Sequence, residues 1–114
     1  MAERDQVAGH FQVNVTAASA EQAQALARLV VEQRLAACAQ VSGPISSTYW
    51  WGGRVASSQE WLCVLKTSAA RLPALLAAVR EAHPYDTPEI VATAIAEGDP
   101  DYLAWLDAET TGEV

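Results

Sequence analysis

The chain has 114 residues, a formal net charge of −7 and two cysteines. That length is one domain, with room for a two-layer core that needs no metal or disulfide staple, and the acidic balance argues against nucleic acid and anionic membrane as partners. Hydrophobic residues make up 51% and charged residues 18%, so apolar surface is left over for a protein partner. No stretch approaches the roughly 20 apolar residues of a membrane span. The opening MAERDQVAGH has no apolar core of the kind a signal peptide needs. Residues 1–8 and 110–114 read as polar tails around a single domain at 9–109.

In chain order, His10 to Ala17 alternates Phe11, Val13 and Val15 against Gln12, Asn14 and Thr16, the pattern of a strand with one apolar face. Ser19 with Gln22 forms a capping box, and Ala23, Leu26, Ala27 and Val30 give the core stripe of a helix expected to run to Leu35. A long hairpin spans Ala36 to Thr67. Gly52-Gly53 supplies its turn, because a type I′ turn needs positive φ at both central residues. The first arm contains Gly43-Pro44, and proline cannot donate to a ladder, so this arm is expected at a sheet edge and bulged there. The second arm places Trp61, Cys63 and Leu65 on one face and Leu62 and Val64 on the other, the pattern of a strand buried on both sides. Each arm, of about 14 residues, reaches roughly 45 Å, well beyond the length of a typical strand. Pairing around the turn sets Cys38 near the partner of Cys63. Neither cysteine belongs to a CxxC motif, and both read as reduced thiols of a cytoplasmic protein.

A second helix follows from about Leu72, with Pro73 in its first turn, and ends before Pro84. HPYDTPE at 83–89 is a rigid loop with two prolines. Ile90 to Ala96 is apolar except at Thr93 and reads as a buried strand. Asp99-Pro100 starts a last short helix carrying Tyr102, Trp105 and Leu106 on one face. The order β-α-β-β-α-β is the α+β, ferredoxin-like sandwich, here with a long hairpin and a short C-terminal helix. Both helices fall on one side of the sheet. The other side is left bare, and a second copy of the chain is the economical cover.

Two constellations are candidate sites. His83 with Asp86 and Glu89 offers nitrogen and oxygen ligands for Cu²⁺, Zn²⁺ or another divalent cation; alternatively His83 caps the C-terminal end of the second helix. Tyr49, Trp51, Glu60, Lys66, Tyr85 and Glu89 either line a small-ligand cleft between subunits or form interface core, with Lys66 paired to a carboxylate. There is no glycine-rich phosphate loop and no GxSxG elbow, and no histidine is placed to activate a thiol. An enzyme is not expected, and no cofactor is required.

The motifs Ser47-x-Tyr49-x-Trp51-x-Gly53, Glu60, Lys66-Thr67, His83-Pro84-Tyr85-x-x-Pro88-Glu89 and Gly98 with Tyr102 and Trp105, together with Leu35-Ala36-Ala37-Cys38, resemble the CutA divalent-cation tolerance family. The resemblance runs over about residues 10–108. It implies a ferredoxin-like homotrimer similar to the PII signalling proteins and a role in tolerance of metals, notably copper. Val15 and Ala82 stand where some members carry a cysteine and a histidine.

Overall fold

The computed structural model describes residues 9–111. Strand β1 is His10–Ala17, helix α1 Ala20–Glu32, β2 Cys38–Trp51, β3 Arg54–Ser68, α2 Leu72–Ala82, β4 Ile90–Ala94 and α3 Pro100–Glu109. The sheet order is β2-β3-β1-β4, and every paired neighbour is antiparallel. This is the ferredoxin-like arrangement expected from the sequence. β3 and β1 are central, and β2 and β4 are the edges.

The core lies between the helices and one sheet face. Val13 and Val15 of β1 and Cys63 and Leu65 of β3 meet Leu26 and Val30 of α1 and Leu75 and Val79 of α2, all buried. Ser19 caps α1 as predicted, its Oγ accepting from the Gln22 amide at 3.1 Å, while Gln22 Oε1 accepts from the Ala18 amide at 3.3 Å. α1 stops three residues short of the expected Leu35. Arg34 takes a left-handed φ of 59°, which turns the chain so that Leu35 and Ala36 drop into the core. Arg34 is held there by Glu109, whose Oε1 and carbonyl accept from Nη1 at 3.0 and 3.3 Å.

The hairpin turns at Gly52 and Gly53, with φ of +60° and +79°, and gives the molecule a longest dimension of 46 Å. Pairing slips by one residue between Ser42 and Ile45, at the cis Gly43–Pro44 bond. Below the bulge Cys38, Gln40 and Ser42 share a face with Lys66, Val64 and Leu62. Above it Ile45, Ser47, Tyr49 and Trp51 share that face with Glu60, Ser58, Ala56 and Arg54. One inserted residue therefore inverts the alternation of β2, and Tyr49 and Trp51 reach the open side of the sheet only because of it.

Two expectations are corrected. β4 ends at Ala94 rather than Ala96, and this chain alone does not cover it: it pairs only with β1 and leaves Val91 50% exposed. Tyr102, Trp105 and Leu106 stand at i, i+3 and i+4 on one face of α3. Leu106 is fully buried, while the two aromatics lie at the surface with ring centroids 5.6 Å apart. The domain also runs past 109, because Thr110 is buried and its hydroxyl donates to Leu106 O at 2.6 Å and lies 2.9 Å from Ser68 Oγ. The expected tail at 1–8 and residues 112–114 lie outside the described residues. α3 covers one end of the open sheet face, where His10 Nε2 lies 3.0 Å from Asp107 and Tyr102 Oη 3.6 Å from Cys38 Sγ. Both cysteines are free, since the register puts Cys38 opposite Lys66 and Cys63 opposite Val41.

Candidate functional site

The loop after α2 is placed by one histidine. His83 is the C-cap residue of α2 and is buried. Its Nε2 lies 2.7 Å from the carbonyl of Thr16, and its Nδ1 accepts from the Tyr85 amide at 3.2 Å. A carbonyl can only accept and an amide can only donate, so the ring is the neutral tautomer with its proton on Nε2. Thr16 is the last residue but one of the central strand β1, and His83 thereby ties the loop to the sheet.

The tie brings Tyr85 over β3. Its hydroxyl donates to Glu60 Oε2 at 3.1 Å. Glu60 is nine-tenths buried. Burial, then the bond to this carboxylate, push the Tyr85 phenol up from its ordinary pKa. The distal hairpin rises beside the loop, with Tyr49 Oη 3.0 Å from Ser58 Oγ across the strands. Between hairpin and loop lies an open cleft of about 960 Å³, lined among others by Tyr49, Trp51, Glu60, Tyr85, Asp86 and Glu89.

Five of the six residues expected to form a ligand cleft therefore come together. Lys66 does not. It stands six positions along β3 from Glu60, about 20 Å away, and its Nζ donates to Gln40 Oε1 at 3.1 Å. Even spacing put it on the correct face and at the wrong end. The cleft lining holds three carboxylates and no lysine, arginine or histidine. Thr16, Ser58 and Trp50 also line it and escaped the sequence reading. Ser58 shares the phase of Glu60 on β3, which is the signal that could have found it. Thr16 needs the β1–β3 register, which no local pattern encodes.

The proposed metal trio is less convergent than its spacing suggests. Both ring nitrogens of His83 are engaged, and Asp86 and Glu89 are exposed. Among the described residues no three His, Cys, Asp or Glu side chains converge on one point. His83 holds the C-cap position of α2, but its ring bonds Thr16 and Tyr85 rather than the last carbonyls of the helix. Burial pushes the Cys63 thiol up to about 11, which keeps it protonated and a poor ligand. The Tyr102 phenol is pushed up to about 12, first by its hydrogen bond with Cys38 and then by burial.

The model of the CutA1 divalent ion tolerance protein family matches residues 11–109. The chain belongs to this family. The divalent-cation tolerance protein CutA of Thermus thermophilus is 45% identical over 100 residues, which are 88% of this chain and 96% of that protein. An Escherichia coli protein of the same name is 40% identical over 93 residues, 82% of this chain and 83% of its own length. The crystal structure of CutA from Xylella fastidiosa superposes with a TM-score of 0.87 at 31% identity, covering 90% of this chain and 98% of that one. The superposition agrees with the α+β, ferredoxin-like fold described above. No helix of the described residues is long and apolar enough to cross a membrane.

Proposed function

We propose that the protein serves divalent-cation tolerance as a homotrimeric, non-enzymatic binding module of the cytoplasm, taking Cu²⁺ or other divalent cations weakly and at its surface. The observation that carries this is an acidic cleft whose carboxylates form no three-ligand group among the described residues. Asp86 and Glu89 stand at an acidic cleft without a third convergent ligand, an arrangement that attracts cations without enclosing one. The trimer is supported by what the single chain leaves uncovered: Trp50 is 74% exposed and Trp51 65% exposed on the hairpin tip. Aromatics of that exposure are typical anchors of an interface. The two free cysteines suit a reducing compartment.

Two experiments test the reading. Light scattering is expected to give three times the 12.2 kDa chain mass, with more than roughly 2,000 Å² buried in all; a monodisperse monomer contradicts it. In a host lacking its own family member and challenged with copper, the wild-type chain is expected to restore growth and the double variant Asp86→Asn, Glu89→Gln to fail. Equal rescue by both removes the carboxylates from the function.

A second reading is a PII-like interaction module that takes a small molecule in the cleft. Its support is size and lining: about 960 Å³ with aromatic walls falls within the range of small-ligand pockets.

A further inference from the structure

Helix α1 ends in a turn that ordinarily asks for glycine. The amides of Arg34 and Leu35 donate back to the carbonyls of Val31 and Val30 at 3.0 and 2.9 Å, the paired bonds of a Schellman motif. That motif sets the residue after the C-cap in the left-handed region, where glycine is usual because it has no Cβ. Here the residue is Arg34, at a φ of 59°. Arginine offers reach that glycine lacks. Its Nη1 donates to Glu109 Oε1 at 3.0 Å and to the Glu109 carbonyl at 3.3 Å, and Glu109 is the last residue of α3. The same helix meets the first residue of β1, with Asp107 Oδ1 3.0 Å from His10 Nε2. It meets the first residue of β2, with Tyr102 Oη 3.6 Å from Cys38 Sγ. Just past its end, Thr110 Oγ1 lies 2.9 Å from Ser68 Oγ, on the last residue of β3. The buried apolar anchor of α3 is Leu106, which lies outside the core cluster that holds Leu35. All of these contacts are made within one chain, so they do not depend on what covers the open face of the sheet.

We infer that α3 is a strap on the base of the long hairpin: Arg34 and Glu109 couple its closure to the left-handed turn from which β2 departs, so that helix and turn open together. With α3 closed, Arg34 is held at positive φ, Leu35 and Ala36 stay in the core, and both their amides stay on the Val30 carbonyl. With α3 lifted, Arg34 loses its partner, and nothing offsets the steric cost of a Cβ in the left-handed region. The turn relaxes, and the bonds of Leu35 and Ala36 to Val30 open with it. Native proteins open in such cooperative units. This one joins residues 75 positions apart.

The test is residue-resolved amide hydrogen exchange on the assembled full chain at one fixed protomer concentration. Glu109→Ala is expected to speed exchange at Leu35 and Ala36 about two- to fivefold, the range of a half-exposed ion pair. Leu106→Ala, which removes the buried anchor of α3 and leaves the turn untouched, is expected to speed α3 and the Leu35 and Ala36 amides together, at least tenfold. Arg34→Ala is expected to speed both as well. Arg34→Gly separates them, because glycine holds positive φ unaided: α3 should exchange faster, while Leu35 and Ala36 keep the wild-type rate or exchange more slowly. If Leu106→Ala speeds α3 and leaves Leu35 and Ala36 unchanged, helix and turn open independently and the inference is overturned. Unchanged Leu35 and Ala36 amides in Glu109→Ala overturn it too. So does an Arg34→Gly variant in which these two amides exchange as fast as in Arg34→Ala.

Discussion

Replacing His83 by alanine separates a structural histidine from a metal ligand. The ring makes one hydrogen bond through each nitrogen, to the Thr16 carbonyl at 2.7 Å and from the Tyr85 amide at 3.2 Å. Thr16 is buried, so its carbonyl is stranded and costs about 1–3 kcal/mol. The Tyr85 amide is only partly buried and regains some water, adding about 0.5–1 kcal/mol. The total, about 1.5–4 kcal/mol, corresponds to roughly 5–20 °C in melting temperature for a chain of this size. The assay is thermal unfolding by circular dichroism, at one fixed protomer concentration because assembly shifts the midpoint. His83→Asn is expected to fall in between, since its side-chain oxygen can still accept from the amide two residues on. A drop below about 2 °C in His83→Ala, accompanied by loss of Cu²⁺ or Zn²⁺ binding, refutes the structural role and restores His83 as a ligand.

Two further outcomes are expected. A Cβ built on Gly43 would stand 2.5 Å from Trp61 Cδ1, at a φ of +153°, so Gly43→Ala should destabilise by about 1–3 kcal/mol and lower the denaturant midpoint; an unchanged midpoint would mean that the bulge repacks freely. The Cys63 thiol, pushed from 9.0 to about 11 by burial, should resist a thiol-titrating reagent at pH 8 while half-buried Cys38 reacts. Its pKa is raised on folding, so the stability it contributes is complete below about pH 9 and is lost as pH rises toward about 11. Cys63→Ala should flatten that alkaline loss, and equal alkaline sensitivity in the variant would place the cause elsewhere.

Much of this was legible in the residues because local signals and global fold agree. The Ser19 and Asp99 caps, Pro73 in the first turn of α2, the Gly-Gly hairpin turn and the proline bulge all sit where chain chemistry puts them. The failures share a cause. Arg34 ends α1 in a left-handed conformation that no glycine announces, because Glu109, 75 residues on, holds it. Periodicity gives the face of Lys66 but not its distance from Glu60, so the cleft was credited with a cation it lacks. β4 reads as buried because apolar residues on both faces look alike whether the cover is this chain or another. The Tyr85–Glu60 contact crosses 25 residues of sequence and depends on His83 reaching β1. Only family motif spacing pointed to it beforehand.

Calorimetric titration of the tag-free protein with Cu²⁺ and Zn²⁺ near neutral pH tests the central claim most directly. Open carboxylates that form no three-ligand group predict weak binding, with Kd above about 10 μM, that falls further as salt screens the acidic cleft and falls in the Asp86→Asn, Glu89→Gln double variant. A stoichiometric, salt-insensitive, sub-micromolar site that survives in that variant would contradict it, because such affinity requires convergent ligands held in fixed geometry.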